Sequence, residues 1–492
     1  MCDDGYDVSN YYTIQPMYGN LDEFHNLVNE VHNRGLRILV ELIPNHTSDQ
    51  HPWFIASRDP SHPEHARYRD YYVWSDTDQC YQAARIIFRD FEKSNWSYDS
   101  LRRAYYWHRF FYHQPDLNYD NGEVQRAMLR VVQFWIDQGV DGIRVDAPSY
   151  LYERDGTSCE NLPETHAFLK RLRAFIEGYA PGTLLLSEAN QLPEDVRLYF
   201  GDGDEMHMNY HFPIMPRIFM ALAQANRTPI VEILNRTPEI PPTCQWGIFL
   251  RCHDELTLEM LSPDDRQYMW DYYAPEARMR LNLGIRRRLA PLLENDQRKI
   301  KLAHSLLLTL PGSPFLYSGD EIGMGDNIWL EDREGLRTPM QWNSQKRAGF
   351  SSISPDKWYA PLIDQTPHRA TQVNVADQVE NPDSLFNAIR KMIQVRRMHQ
   401  AFGRGTIEWL MSSPLAVLGY WRKYQSQRLL VINNLSGETQ TIKIDYSKQD
   451  SSFTVILSSH RDEQGSDLTL GQLVVNLNPY QYIWMDFKRR DA

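Results

Sequence analysis

The chain of 492 residues carries 52 basic and 64 acidic side chains, a formal net charge of −12 that argues against non-specific nucleic-acid binding. With 42% hydrophobic and 24% charged residues it can bury a large core, and it contains no run of about 20 apolar residues to span a membrane. Five scattered cysteines (Cys2, Cys80, Cys159, Cys244, Cys252) fit neither a disulfide framework nor a zinc site, and the opening MCDDGYDVSNYY is no signal peptide; both point to the reducing cytoplasm.

Along the chain, helix and strand signals alternate. LDEFHNLVNEVHNRG places Leu21, Phe24, Leu27, Val28 and Val31 at helical spacing, and Gly35 stops the run. LRILVELIPNH follows as a buried strand ending in Asn45 and His46. Residues 47–113, rich in His, Asp, Trp and Tyr, break the rhythm and are long enough to need structure of their own. Residues 122–138 read as an amphipathic helix, Gly139 ends it, and VDGIRVD is the next strand. HAFLKRLRAFIEGYAPG leads into TLLLSEAN, and RKIKLAHSLLLTLPG into SPFLYSGDE. Such alternation predicts parallel strands joined by crossover helices. After about residue 404 short alternating runs take over, among them LAVLGYWRKY, RLLVINNL, QTIKIDY and YQYIWMDF, which predict an antiparallel β-sandwich.

The predicted parallel strands end in polar residues: Asn45-His46, Asp146, Glu188-Asn190, His253-Asp254 and Asp320-Glu321. In a parallel α/β barrel the C-terminal strand ends are where a site is assembled. Within GVDGIRVDAPSY, strand periodicity puts Arg144 and Asp146 on one face, so a cation lies beside a carboxylate at a strand end.

The set GIRVDAP, LLLSEAN and RCHDE, preceded by IPNHTSDQHPWF, resembles the α-amylase superfamily of retaining glycoside hydrolases and transglycosylases. The longer stretches CENLPETH, YFGDGDE and GDEIGMGDNIWLEDREGLRTPMQW are similar to its trehalose synthase family, with the likeness running from Asp3 to the C-terminus. The resemblance implies an α/β fold: a (β/α)8 TIM-type barrel over residues 1–46 and 114–404, an excursion domain over 47–113 after the third strand, and a C-terminal antiparallel β-sandwich over 405–492. Two barrel strands that precede the DDGYD loop in that family have no counterpart here. The expectation is a chain truncated at its N-terminus, or one that borrows edge contacts from a second subunit as a homo-oligomer.

By position, Asp146 would be the nucleophile and Glu188 the acid that then turns base, a role that needs a raised pKa; Arg144 would keep Asp146 ionised. Asp254 would distort the sugar ring, helped by His253 and His46. The implied sugar subsite is Asp3, Tyr6, His46, Arg144, His253, Asp254 and Arg333, with Arg337 closing the pocket. The implied reaction cleaves maltose to a glucosyl-Asp146 intermediate, lets the trapped glucose turn, and joins the two again as trehalose, with some glucose lost to water. Residues 47–113 and loops bearing Trp246, Trp329 and Trp342 would exclude that water. A structural Ca²⁺ is implied at Asn45, Asp116 and Glu153 with the carbonyls of Tyr150 and Leu151, oxygen donors that suit a hard cation. No organic cofactor, nucleic acid or membrane partner is implied. One departure is Cys252, where the family usually has Asn. An α-glucosidase or sucrose isomerase of the same superfamily, or an inactive relative, are the alternative readings.

Overall fold

A computed structural model describes residues 2–445, 450–460, 468–469 and 472–489. The chain divides into two compact units, Met1–Tyr210 with Pro238–Gln245, and His211–Thr237 with Trp246–Ala492. Among the described residues no helix is long and apolar enough to cross a membrane.

The first unit opens with helix α1 (Leu21–Asn33), started by a reciprocal cap. The Asn20 side chain accepts from the Glu23 N–H and the Glu23 carboxylate accepts from the Asn20 N–H, both at 3.0 Å. Gly35, at φ +68°, ends it in the left-handed region as its position predicts. The helix is where the spacing placed it, but its apolar stripe is not covered as expected: Val28 alone is buried, and Leu27 is 51% exposed.

Four parallel strands follow: β1 (Leu39–Leu42), β2 (Gly142–Val145), β3 (Leu184–Ser187) and β4 (Met208–Tyr210). They lie side by side in that order. Helix α2 (Gly122–Asp137) leads into β2 and α3 (Pro163–Tyr179) into β3. The register sets Glu41 opposite Arg144 and Arg144 opposite Leu186. Gly142 opens β2 because a Cβ there would lie 2.9 Å from the Leu184 carbonyl oxygen. Strand β4 is the one of the four that helix–strand alternation does not mark, since only the short turns Pro193–Val196 and Arg197–Phe200 lead into it.

Residues 47–113 do carry their own structure. The helices Pro52–Arg58 and His65–Tyr68 precede an antiparallel sheet in which Ala104–Trp107 lies between Trp74–Ser75 and Trp96–Asp99. Its core is Val73, Trp96 and Trp107, with Tyr81 and Tyr105 packed on them.

In the second unit, β5 (Gln245–Phe249), which belongs to it from Trp246 on, pairs in parallel with β6 (Ser313–Phe315). Between them runs α4 (Gln297–Thr309), capped by Asp296, and α5 (Leu385–Met398) follows, capped by Ser384. The C-terminal part is the predicted pair of antiparallel sheets. One sheet contains Thr406–Trp409, Val417–Tyr424, Gln427–Asn434, Tyr482–Arg489 and Asp450–Ser458 in that order; the other is centred on the Gln440–Asp445 and Gln472–Leu477 pair. Val417, Trp421, Leu430 and Ile432 from the first meet Ile442, Ile444, Leu473 and Val475 from the second, burying a common core. Tyr446, at the end of the predicted run QTIKIDY, lies outside the described residues.

The sandwich is fastened to α4. Ser305 Oγ donates to Asn433 Oδ1 at 3.1 Å and accepts from Trp484 Nε1 at 2.9 Å, and Thr309 Oγ1 and the Tyr420 hydroxyl lie 2.6 Å apart. The C-terminal carbonyls of α4 meet cations, as its dipole favours: Arg422 donates to the Thr309 carbonyl at 2.6 Å, and Arg396 to that of Leu308 and, at 2.9 Å, to Gly312 just beyond.

Candidate active site

In the first unit the ends of β2 and β3 place two carboxylates beside one cation. Asp146 directly follows β2, and its N–H donates to the Leu42 carbonyl at 2.9 Å; Glu188 directly follows β3, and its N–H donates to Val145 at 3.1 Å. These bonds continue the ladder one residue past each strand and so fix where both side chains start. Ala147 then takes a left-handed conformation, φ +43°, at about 1 kcal/mol or more for a residue with a Cβ, which turns the chain away after Asp146.

Arg144 sits among them. Its guanidinium lies 3.1 Å from Asp146 Oδ1, pairs with Glu188, pairs across the register with Glu41, and donates to the Tyr6 hydroxyl at 3.4 Å. Burial by itself would lower the pKa of this side chain, but Glu188, Tyr6, Asp146 and Tyr210 together hold it well above the ordinary arginine value. The side chains of Arg144, Asp146 and Glu188 are 11%, 9% and 17% exposed, so these charges act with little solvent between them. The predicted adjacency of Arg144 and Asp146 is thus what the structure shows. Glu41, which the apolar run LVEL conceals, is a further member.

The DDGYD loop lies against this group. Asp3 is buried; its Oδ2 accepts from Gln114 Nε2 at 3.0 Å, and its N–H donates to Asp7 Oδ1 at 3.1 Å. His46, also buried, donates from Nε2 to the Tyr6 carbonyl at 3.0 Å. Burial pushes its imidazole down to about 4, so it is neutral near pH 7.

Asn45, Asp116 and Glu153, the side chains implied to hold calcium, share one environment. Asn45 and His46 follow β1, the Leu117 N–H donates to the Asn45 carbonyl at 2.8 Å, and His46 bridges to Asp116. Asn45 Oδ1, Asp116 Oδ2 and Glu153 Oε1 are buried acceptors with no hydrogen-bond partner. Burial pushes the Asp116 carboxyl up to about 8, and burial together with Asp116 raises Glu153 well above the usual carboxylate range. Tyr150 closes the short turn Pro148–Tyr150 after β2, and Leu151 follows it. Orphaned, buried oxygens whose charged forms lack a counter-ion are what a hard cation satisfies, so these residues fit the implied ion. The group is a mixed one of amide, carboxylate and carbonyl; no cluster of three or more His, Cys, Asp or Glu side chains suited to a metal occurs among the described residues.

The second unit carries the remaining predicted residues. Asp254 accepts from Arg337 Nη2 at 2.8 Å, lies 3.3 Å from Arg333 Nε and lies 3.3 Å from His253 Nε2. Burial would raise its carboxyl, but His253, Arg333 and Arg337 overcome that and hold it far below the usual carboxylate range. Arg337 also donates from Nε to the His253 carbonyl at 3.1 Å, so it binds both residues of the pair. Arg251 shapes the same turn, donating to the carbonyls of Asp254 and Arg287, each at 2.7 Å. Cys252 makes a weak contact to the Asp254 carbonyl at 3.9 Å. Glu255, not anticipated from sequence, accepts from Arg333 at 2.9 Å. One expectation fails here: Trp246 is not a loop residue but the second residue of β5, buried and edge-on to His211. Strand geometry turns it into the core; Trp329 and Trp342, 61% and 50% exposed, are on loops as expected.

Comparison with known proteins agrees with these features. The alpha-amylase catalytic-domain family matches residues 1–273 and 285–405, and the alpha-amylase SusG C-terminal domain matches 417–483. A trehalose synthase of Pimelobacter sp. (strain R48) is 54% identical over 460 residues, covering 91% of this chain and 80% of that protein. The trehalose synthase/amylase TreS of Mycolicibacterium smegmatis is 50% identical over 504 residues, covering 99% and 84%. Among solved structures, the alpha-amylase from H. orenii superposes with a TM-score of 0.76 at 26% identity, over 98% of this chain and 87% of that one. The parallel strands with their crossover helices are therefore those of an α/β barrel, followed by an antiparallel C-terminal domain. The chain belongs to the alpha-amylase family, in the branch whose members carry the name trehalose synthase.

Proposed function

We propose that the chain interconverts maltose and trehalose by intramolecular glucosyl transfer with retention, losing some glucose by hydrolysis. The observation that carries this is Arg144, whose single buried guanidinium holds Asp146 and Glu188 at the ends of adjacent parallel strands. A double displacement needs that pair of carboxyl groups, and the name of relatives sharing half their residues supplies the substrate class. In this reading Asp146 attacks the anomeric carbon and the glycosidic bond breaks, while Glu188 gives its proton to the leaving oxygen. The released glucose turns in place; Glu188 takes the proton from its anomeric hydroxyl, which then displaces Asp146. Arg144 balances charge through both steps. Asp3, Tyr6, His253, Asp254, Arg333 and Arg337 hold sugar hydroxyls, and neutral His46 fixes the Tyr6 backbone.

The buried acceptors support Ca²⁺ at Asn45, Asp116 and Glu153, with the carbonyls of Tyr150 and Leu151. When bound, the ion would neutralise two buried carboxylates and hold Asn45 and Asp116, which flank residues 47–113, against the turn that follows β2. All five cysteines are thiols, which accords with a cytoplasmic enzyme. Self-association into a homo-oligomer completes the reading and is tested by sedimentation.

The experiment is a time course of maltose conversion with trehalose, maltose and glucose resolved, using Asp146→Asn as control. Trehalose in excess of glucose, absent in the variant, upholds the reading. Glucose alone assigns the chain to the α-glucosidases of the same superfamily, and no turnover from folded protein assigns it to the inactive relatives.

A further inference from the structure

We propose that Arg286 is a positioning residue for this reaction: it sets the loop that presents Arg333 to Asp254, an assignment that rests on reading those two as sugar-holding groups. The alpha-amylase family match stops at residue 273 and resumes at 285. The intervening stretch forms a hairpin, Arg280–Leu281 with Gly284–Ile285, whose second strand pairs with Leu256–Thr257 just beyond Asp254. At its tip Asn282, left-handed at φ +50°, donates from Nδ2 to Glu255 Oε1 at 3.1 Å.

Arg286 leaves this hairpin, its N–H closing on the Met279 carbonyl at 2.8 Å. Its guanidinium then spends its donors on backbone carbonyls. Nε donates to Arg278 at 2.6 Å, Nη1 to Leu330 and Asp332 at 2.8 Å each, and Nη2 to Ile328 at 3.3 Å. Three of those carbonyls lie in the five residues before Arg333. The loop is closed at its base by the Asn327 N–H on the Gly335 carbonyl at 3.0 Å, and a second clasp, the Arg278 guanidinium 3.7 Å over the exposed Trp329 ring, runs parallel to the first. The loop delivers Arg333 to 2.9 Å from Glu255 and 3.3 Å from Asp254. A planar fork of five donors can span these carbonyls at once, whereas the single ammonium of a lysine cannot. Because Arg286 is only half-buried, its removal loosens the loop without opening the core.

The test is steady-state kinetics on maltose with the full chain for Arg286→Met, Arg286→Lys, Arg333→Met and the Arg286→Met/Arg333→Met double variant, alongside thermal midpoints. Arg286→Met is expected to raise KM and lower kcat/KM about ten- to a hundredfold, to increase the glucose share, and to keep its midpoint. Arg286→Lys recovers part of the loss, and reads the same KM change should Arg286→Met fail to fold. The double variant is expected to be no worse than Arg333→Met, since both act at one contact. Parent-like kinetics of Arg286→Met, multiplying losses in the double variant, or a loss matched by a fallen midpoint overturns the proposal. An unchanged KM in Arg333→Met removes Arg333 as a sugar contact and the proposal with it, while the broader reading still stands or falls on Asp146→Asn.

Discussion

Replacing Arg144 by Met removes one positive charge from among three carboxylates while keeping most of the side-chain volume. Guanidinium and carboxylate charge centres about 4 Å apart interact by about 4 kcal/mol at an effective dielectric of 20, and the contact to Asp146 is at that range. Desolvation of both groups offsets part of this, so the net figure is better taken from buried pairs broken on one side, about 3–5 kcal/mol. That loss weighs on folding, and the missing charge weighs separately on the transition state, where the carboxylates change their charge. The expected outcome is a fall of about 3 kcal/mol in urea-unfolding stability and of about a thousandfold or more in kcat/KM on maltose. The acid limb of the pH–rate profile moves up, because a carboxylate deprived of a cation at 3.1 Å takes a proton more readily. Arg144→Lys keeps the charge but cannot reach Glu41, Asp146 and Glu188 together, and is expected to fall between the two. The assays are a product time course and urea melts of all three proteins. Arg144→Met with kcat/KM within tenfold of the parent and an unshifted urea midpoint would refute the claim that this guanidinium neutralises the carboxylates.

Chelation is expected to lower the thermal midpoint of the parent, with recovery on added Ca²⁺, and Asn45→Ala to blunt that response, as followed by thermal melts. The buried His304 imidazole, which donates from Nδ1 to the Ile300 carbonyl at 2.9 Å, is pushed down to about 4 by burial. The unfolded chain therefore binds the extra proton between about pH 6.5 and 4, so stability is complete above 6.5 and is lost as pH falls toward 4, by up to about 3 kcal/mol. His304→Gln should flatten that slope in urea melts at pH 7 and 4.5. Arg227, 5% exposed, donates to the carbonyls of Met411, Ser413, Pro414 and Val417. Pro414 keeps the Val417 N–H and Val417 keeps the Ser413 hydroxyl, so Arg227→Met takes the side-chain donor chiefly from Met411 and Ser413. It is expected to cost about 3 kcal/mol of stability with little change in KM.

Period-two and 3.6-residue patterns located α1 to α4 and strands β1, β2, β3 and β6 because each pairs an apolar face with a clear stop, as Gly35 and Gly139 do. They did not mark β4, which is as short as β6 but has no long amphipathic helix ahead of it to announce it. They also could not say that Leu27 stays half exposed, since coverage depends on what packs on the helix. Asp146, Glu188 and Asp254 were legible because strand-end carboxylates stand out in apolar runs. Glu41 was not: only the register that sets it opposite Arg144 shows its role. Arg251 and Arg286 act on carbonyls, which every residue has, so no spacing in the sequence announces them. Asn45 and Asp116 read as turn residues until their side-chain oxygens prove buried and unsatisfied.

The two guanidiniums at the end of α4 come from different parts of the second unit, Arg396 from α5 and Arg422 from the sandwich strand Val417–Tyr424. The helix is thus terminated by side chains that arrive late in the chain, and its last turn cannot settle until they do. Heat should accordingly take α4, α5 and the sandwich apart in one step, and amide exchange at Leu306 to Leu310 should slow to the rate of that whole assembly rather than to that of a fraying helix end. A sandwich exchanged from a distant relative would fold beside this helix without ending it, unless it brought an arginine to the place of Arg422.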